Sequence, residues 1–333
     1  MSEERLDYID LIKGFGIFLV ILGHAMIPRS PWIYSFHVPL FFFISGFMYK
    51  DRPFKANLAS KLKKMYFPFV TFNVVTWLFF YLIAVLNHDT VAHSTYLNLY
   101  RTIIGFDISV PQNGPLWFLL CLFTVSVIYI FISLLKNEYL KLAAVLAVTV
   151  SGYFISQRFS DLPFKIEAAM MMIFFFYAGN LSCRFKLSEK IDRLKGIAIF
   201  NISVLFSYLN FILNYYNLRI SGIERISVLE NSYGNIFLFY ISAFCAILFT
   251  AVILKKIGRI GIINYLGMNS LIILCIHYPI LQYVERIHPA FLGSSILFDL
   301  ISSLITVVLC VPVIYLISRI KLHNPGKVKS FLT

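Results

Sequence analysis

Apolar residues in this chain fall into long continuous runs separated by short polar stretches, unlike the strict alternation of a half-buried strand. The runs lie near residues 11–27, 32–49, 65–86, 115–135, 139–157, 163–183, 196–215, 233–254, 264–284 and 295–318, and the second is short. A helix needs roughly 20 predominantly apolar residues to cross the hydrocarbon core of a bilayer. A transmembrane barrel would show alternating segments of about ten residues instead. The pattern therefore predicts an all-α, polytopic integral membrane protein of about ten transmembrane helices. No low-complexity linker and no repeat of fixed period interrupts it, and the longest connection, residues 87–114, is too short for a separate domain, so a single membrane domain over residues 1–333 is expected.

Composition agrees, with 59% of the 333 residues hydrophobic and only 14% charged. The charges add orientation. With the N-terminus in the cytoplasm, the inner side receives Lys50, Arg52, Lys55, Lys61, Lys63 and Lys64 in one loop and Arg184, Lys186, Lys190, Arg193 and Lys195 in another. Arg5, Lys13, Lys136, Lys141, Lys255, Lys256, Arg259, Arg319, Lys321, Lys327 and Lys329 fall on the same side, which then holds 22 of the 29 basic residues. Lysine and arginine concentrate in short cytoplasmic loops, so both termini are expected inside. The net charge of +13 is accounted for by topology and calls for no nucleic-acid partner.

The first run follows acidic residues, lacks a small-residue cleavage site and contains Lys13 and His24; it is expected to stay as a span rather than be removed as a signal peptide. Cys121, Cys183, Cys245, Cys275 and Cys310 lie within or at the end of predicted spans, so no disulfide framework is expected.

Ionisable side chains inside spans are costly and mark candidate functional sites. His24 lies about four residues inside the outer end of the first span and His37 about five inside the outer end of the second, joined by the short connection PRSP. Both imidazoles should lie within roughly 6–8 Å of the outer boundary at the helical rise per residue. Glu167 lies about one turn into the sixth span. Three titratable groups are thus expected in one layer, where a carboxylate can orient an imidazole and raise its basicity. The competing reading is that each histidine bonds a backbone carbonyl and Glu167 faces head groups. At the inner end, Asp10 and Lys13 share a helical face and are expected to pair. Lys13 precedes His24 by eleven residues, a rise of about 16 Å, so one helix carries a cation near the cytoplasm and a base near the exterior.

The segments RLDYIDLIKGFGIFLVILGH and FHVPLFFFISGF resemble the opening of the acyltransferase-3 family of integral membrane O-acyltransferases. The family signature, an Arg or sometimes Lys, ten intervening residues and an essential His, falls on Lys13 and His24. Lysine keeps the charge of the usual arginine but lacks its planar fork. The resemblance continues through a basic pair met by Lys61 and Lys64 and through MYFPF, NGPLWFL and NSLIILCIHYPI, covering most of the chain. Among subgroups it looks most like the fucose 4-O-acetylase-like and capsule or exopolysaccharide O-acetyltransferases, without a fused esterase-like or racemase domain.

The resemblance implies ten core helices in the cytoplasmic membrane of a bacterium, a cytoplasmic acyl-CoA donor, usually acetyl-CoA, and a hydroxyl of a surface glycan or lipid-linked saccharide as acceptor. Lys61 and Lys64, with Lys13, would serve the donor side, the loop pair suiting the phosphates of coenzyme A as point charges. His24 would act as general base or acyl carrier, with Glu167 or His37 fixing its tautomer. Trp117 could stack on a sugar ring while Asn113 bonds its hydroxyls, although an interfacial aromatic belt also explains a tryptophan there. His277 matches a family position, and a hydrogen bond across helices accounts for it equally well. Ser45 and Gly46 read as close packing, and no paired histidine spacing suggests a metal. The rival from another class is a transporter or flippase of a lipid-linked sugar, which would call for broken helices in related halves. A non-catalytic scaffold would not need His24, His37 and Glu167 at one depth.

Overall fold

A computed structural model describes residues 3–26, 30–86, 111–159, 161–287 and 296–323. Residues 27–29, which include Pro28 and Arg29 of the PRSP connection, residues 87–110, and Lys327 and Lys329 lie outside the described residues, as do the side chains of Arg5 and Lys321.

A helix meets every predicted run. In chain order these are α1 Glu3–Ala25, α2 Pro31–Tyr34 and α3 His37–Phe47, then α4 Phe54–Lys61 leading through a π-helical turn Leu62–Tyr66 into α5 Phe67–Leu86. The 3-10 turn Pro111–Leu116 opens α6 Trp117–Ser133, followed by α7 Glu138–Ser156, the 3-10 turn Pro163–Lys165, α8 Ile166–Arg184, and the short α9 Leu187–Asp192. The remainder comprises α10 Gly196–Ser221, α11 Ile236–Ile257, α12 Gly261–Met268, α13 Ser270–Arg286 and α14 Ile296–His323. Among the described residues the only extended pairing is a single bridge between Ser227 and Ser232.

The chain is thus an all-α, polytopic membrane protein. Eight of its described helices are long and apolar enough to cross a bilayer, the sharply bent pair α12–α13 makes a ninth if taken as one span, and Pro31–Phe47 is a shorter apolar helical stretch. Two predicted runs are therefore broken rather than straight. The second divides at Ser35 and Phe36, where side chains add to tightened backbone bonds: Trp32 O accepts from Ser35 N–H (3.2 Å) and Ser35 Oγ (2.7 Å), and Ile33 O accepts from Phe36 N–H (3.3 Å) with His37 Nδ1 2.8 Å away. The ninth divides at Asn269, whose side-chain amide donates to Tyr265 O at 2.9 Å. Asn137 and Asn235 cap the N-termini of α7 and α11 with their side-chain oxygens.

Large apolar side chains stay exposed on Leu146, Val150 and Phe154 of α7, Val204 and Phe211 of α10, and Leu304 and Val308 of α14. Such faces are costly in water and suited to hydrocarbon.

The chain divides into two compact units. The first takes in residues 1–49, 175–270 and 289–303. Its helices approach until glycine meets backbone: a Cβ on Gly14 would collide with Ile263 O, one on Gly267 with Asp10 O, one on Gly46 with Phe176 O and one on Gly179 with Phe43 O. Small residues at membrane helix contacts permit such approach, so Gly46 has the packing role expected of it. The second unit takes in residues 50–174, 271–288 and 304–333. Its core gathers Phe69, Leu116, Leu119, Leu120 and Cys275, with Tyr66 and Phe164 packed against it. All five cysteines are free thiols.

Candidate active site

Lys13, His24 and His37 belong to the first unit; Lys61, Lys64, Asn113, Trp117, Glu167 and His277 belong to the second.

In the first unit, Lys13 pairs with Asp10 one turn away, as their spacing predicts. α12 clamps this N-terminal part of α1, with Asn264 Nδ2 donating to Asp7 O at 2.7 Å and Gly267 against Asp10. An apolar cleft beside the same turns is lined by Tyr8, Ile12, Leu40, Phe43, Phe47 and Ala251.

At the other end of α1, His24 occupies the last turn and is partly exposed. The chain folds back over this end. Ser30 Oγ donates to Gly23 O at 3.3 Å, and a Cβ on Gly23 would touch Ile33 and Tyr34. His37 opens α3 and is buried. Because a carbonyl oxygen only accepts, the contact with Ile33 O puts the proton on Nδ1 and leaves Nε2 as the accepting nitrogen of the neutral ring. The Tyr34 ring meets the His37 ring edge-on, with centroids 4.9 Å apart. His37 thus makes the backbone bond of the competing reading while keeping one nitrogen for other work.

Polar side chains of α10 hold this fold-back in place. Asn210 Nδ2 donates to Ser35 Oγ (3.2 Å) and Ser242 O (2.9 Å), Asn214 Nδ2 to Pro31 O (3.3 Å), and Asn217 Nδ2 to Tyr233 O (3.0 Å). The sequence reading passed over these asparagines. Their spacing of four and three on an otherwise apolar helix was the available signal, since it aligns them on one face.

In the second unit, Glu167 is fully buried, and so is Lys165, whose ammonium lies 3.7 Å from Glu167 Oε1 and also pairs with Asp161. Glu167 Oε2 accepts from Leu162 N–H at 3.3 Å. Lys165 and its neighbour Phe164 both have left-handed backbone, φ 52° and 60°, and Thr124 Oγ1 fixes the turn through Phe164 O at 2.8 Å. Non-glycine residues held in that region cost of order 1–3 kcal/mol each and tend to cluster at functional sites. Lys165 went unremarked in the sequence; its place at the start of the sixth run, two residues before a candidate carboxylate, was the clue.

Asn113 is buried, with its amide donating to Thr76 Oγ1 (3.1 Å) and Cys275 O (2.8 Å) and Oδ1 left unbonded. Trp117 opens α6 and is largely buried. His277 is buried on α13 with Nδ1 3.0 Å from both Ile273 O and Leu274 O, a bond within its own helix. Lys61 ends α4 and Lys64 sits in the π-helical turn; the two lie within electrostatic reach of each other and of Arg52, and Lys64 also of Lys50. Like charges kept together oppose one another and favour a polyanionic ligand. Single π-helical turns inserted in longer helices are frequent at functional sites.

Comparison with known proteins returns one family: residues 6–316 match the family model described as an acyltransferase domain. Comparisons with curated proteins and with solved structures return no match. The matched span takes in Lys13, His24 and the other residues of the candidate site, and on that extent the chain belongs to the acyltransferase-3 family of membrane acyltransferases.

Proposed function

We propose that this protein moves an acyl group, acetyl in the first instance, from cytoplasmic acyl-CoA to a hydroxyl of a surface glycan or its lipid-linked saccharide precursor, in the cytoplasmic membrane of a bacterium. The observation that carries this reading is the build of α1: Lys13 lies in its N-terminal half, next to Ile12 of an apolar cleft, and His24, eleven residues on, is partly exposed in its last turn.

In this reading the nucleotide of coenzyme A docks on the cations around Lys61 and Lys64, and Lys13 steadies the donor further in. The thioester arm reaches His24 along α1. The acceptor hydroxyl attacks the thioester carbonyl, His24 takes its proton, and the C–S bond breaks to release coenzyme A as a thiolate that is then protonated. In the covalent variant His24 itself attacks the thioester carbonyl, the C–S bond breaks to release the coenzyme A thiolate, and the acyl-imidazole then passes its acyl group to the hydroxyl, whose proton returns the thiolate to the thiol. His37 and Glu167 serve as positioning residues. Trp117, Asn113 and His277 serve the acceptor, Asn113 through Oδ1 because its amide donors are already bonded.

One observation leans toward the transporter reading: α12 and α13 bend by 89° at a short break, the geometry of a broken span or of a re-entrant loop. Next to that break Gly267 packs directly on Asp10, a close helix contact that needs no transport function.

The test is transfer of radiolabelled acetyl from acetyl-CoA into glycan, in membranes holding the wild-type chain or His24→Ala at equal levels. Label entering glycan only with the intact histidine is the expected result. Equal transfer by the variant would overturn the role of His24.

A further inference from the structure

Between α10 and α11 the chain forms a folded hairpin. Ser227 and Ser232 exchange both backbone hydrogen bonds at 2.8 Å, Glu230 N–H bonds Ser227 Oγ, and Ile226 and Tyr233 are buried. Asn217 fixes its far end through Tyr233 O and Asn235 N–H. This hairpin brings one cation to the end of the unit that carries His24 and His37. The Arg225 guanidinium carbon lies 5.3 Å from the centre of the Tyr34 ring, the same ring that meets His37 and touches the Gly23 position.

The bonding of Arg225 is incomplete. Nη2 lies 3.7 Å from Glu230 Oε1, an ion-pair distance too long for a hydrogen bond, and Nε is buried without a hydrogen-bond partner. A buried donor left unpaired is costly and uncommon. Nε and Nη2 form one edge of the guanidinium, the fork that takes an oxyanion in two parallel bonds. The cation–π contact with Tyr34 places the guanidinium carbon over the ring and leaves Nε without a hydrogen-bond partner. Glu230, 60% exposed, stands beside that edge at 3.7 Å from Nη2.

Resting on the acyl-transfer reading, we propose that Arg225 is an acceptor-side anion receptor, its Nε/Nη2 edge binding a phosphate or carboxylate of a saccharide whose hydroxyl is presented toward His24. Glu230 is the internal counterion that this oxyanion displaces. An uncharged sugar gains nothing from the edge, so the acceptor class is an anionic saccharide: a sugar phosphate or pyrophosphate, or a uronic acid.

The test uses the full chain purified in lipid nanodiscs, carrying Lys61→Ala and Lys64→Ala so that the other basic cluster does not bind the probe. Affinities for inorganic phosphate, glucuronate and glucose are measured with and without Arg225→Gln or Glu230→Gln. Arg225→Gln is expected to weaken phosphate or glucuronate binding by about tenfold or more, the scale of charged hydrogen bonds, and to leave glucose unchanged. Glu230→Gln is expected to strengthen the same anion by up to about fivefold, because it removes an exposed competitor. Whichever anion responds names its source, phosphate or uronate. Anion affinities unmoved by Arg225→Gln, or weakened by Glu230→Gln, would overturn the proposal.

A second arm separates this inference from the reading beneath it. On the native lysine background, Arg225→Gln should raise KM for the glycan acceptor, with KM for acetyl-CoA constant. If the wild type transfers label and Arg225→Gln leaves acceptor KM unchanged, the anion receptor is wrong while acyl transfer stands. If the wild type transfers none but the nanodisc protein shows Arg225-dependent anion binding, the receptor stands and the transferase reading falls.

Discussion

Gly267 lies so close to the carbonyl oxygen of Asp10 that no side chain fits between them, and Asp10 is the residue whose carboxylate pairs with Lys13. The crossing of α1 and α12 thereby fixes the turn that carries the Lys13 cation. Gly267→Leu must push the helices apart, at a cost of at least the roughly 1–3 kcal/mol of an overpacked site. Gly196→Ala, where an added Cβ meets nothing within 4 Å, is the control. Thermal unfolding in detergent should show a marked loss for the first and little change for the second.

α1 should also separate charge from base. His24→Gln keeps much of the shape of the imidazole but cannot cycle a proton, and should lower the acyl-transfer rate by roughly 10²- to 10⁴-fold, the usual span of general-base contributions. Lys13→Arg keeps the positive charge and restores the planar fork, so its rate should remain within about tenfold of wild type, whereas Lys13→Met should fall well below it. Initial rates of label transfer decide between these outcomes.

The basic cluster at Lys61 and Lys64 predicts a donor-side defect. The double variant Lys61→Ala/Lys64→Ala should raise KM for acetyl-CoA by about tenfold or more and leave KM for the glycan unchanged, because charge-assisted bonds to phosphate are lost on one substrate only. Added salt should raise the wild-type KM more steeply than that of the variant, since screening weakens only contacts that still exist. Equal changes in both KM values would argue for a structural effect.

Lys165 and Glu167 are buried together, so removing one leaves the other uncompensated. Lys165→Met alone should destabilise the fold by roughly 3–5 kcal/mol, and Lys165→Met combined with Glu167→Gln should recover much of that, as buried pairs do when both charges are removed. A double-mutant cycle on detergent unfolding gives the coupling directly.

The sequence by itself determined the helices and the local pair Asp10–Lys13. An α-helix closes its hydrogen bonds within four residues and hydrocarbon tolerates no open backbone, so continuous apolar runs leave few alternatives. It also placed Lys13 and His24 on one helix eleven residues apart, which is a matter of counting. Only the tertiary structure decided that the second run breaks so that His37 bonds Ile33 O, that Glu167 pairs with Lys165 rather than facing head groups, and that Asn214 reaches Pro31, 183 residues away in sequence. Side-chain rules along a helix extend about one turn. Beyond that distance, partners depend on where helices cross, and here the crossings are set by glycines such as Gly14 and Gly267, whose missing side chains let backbones touch.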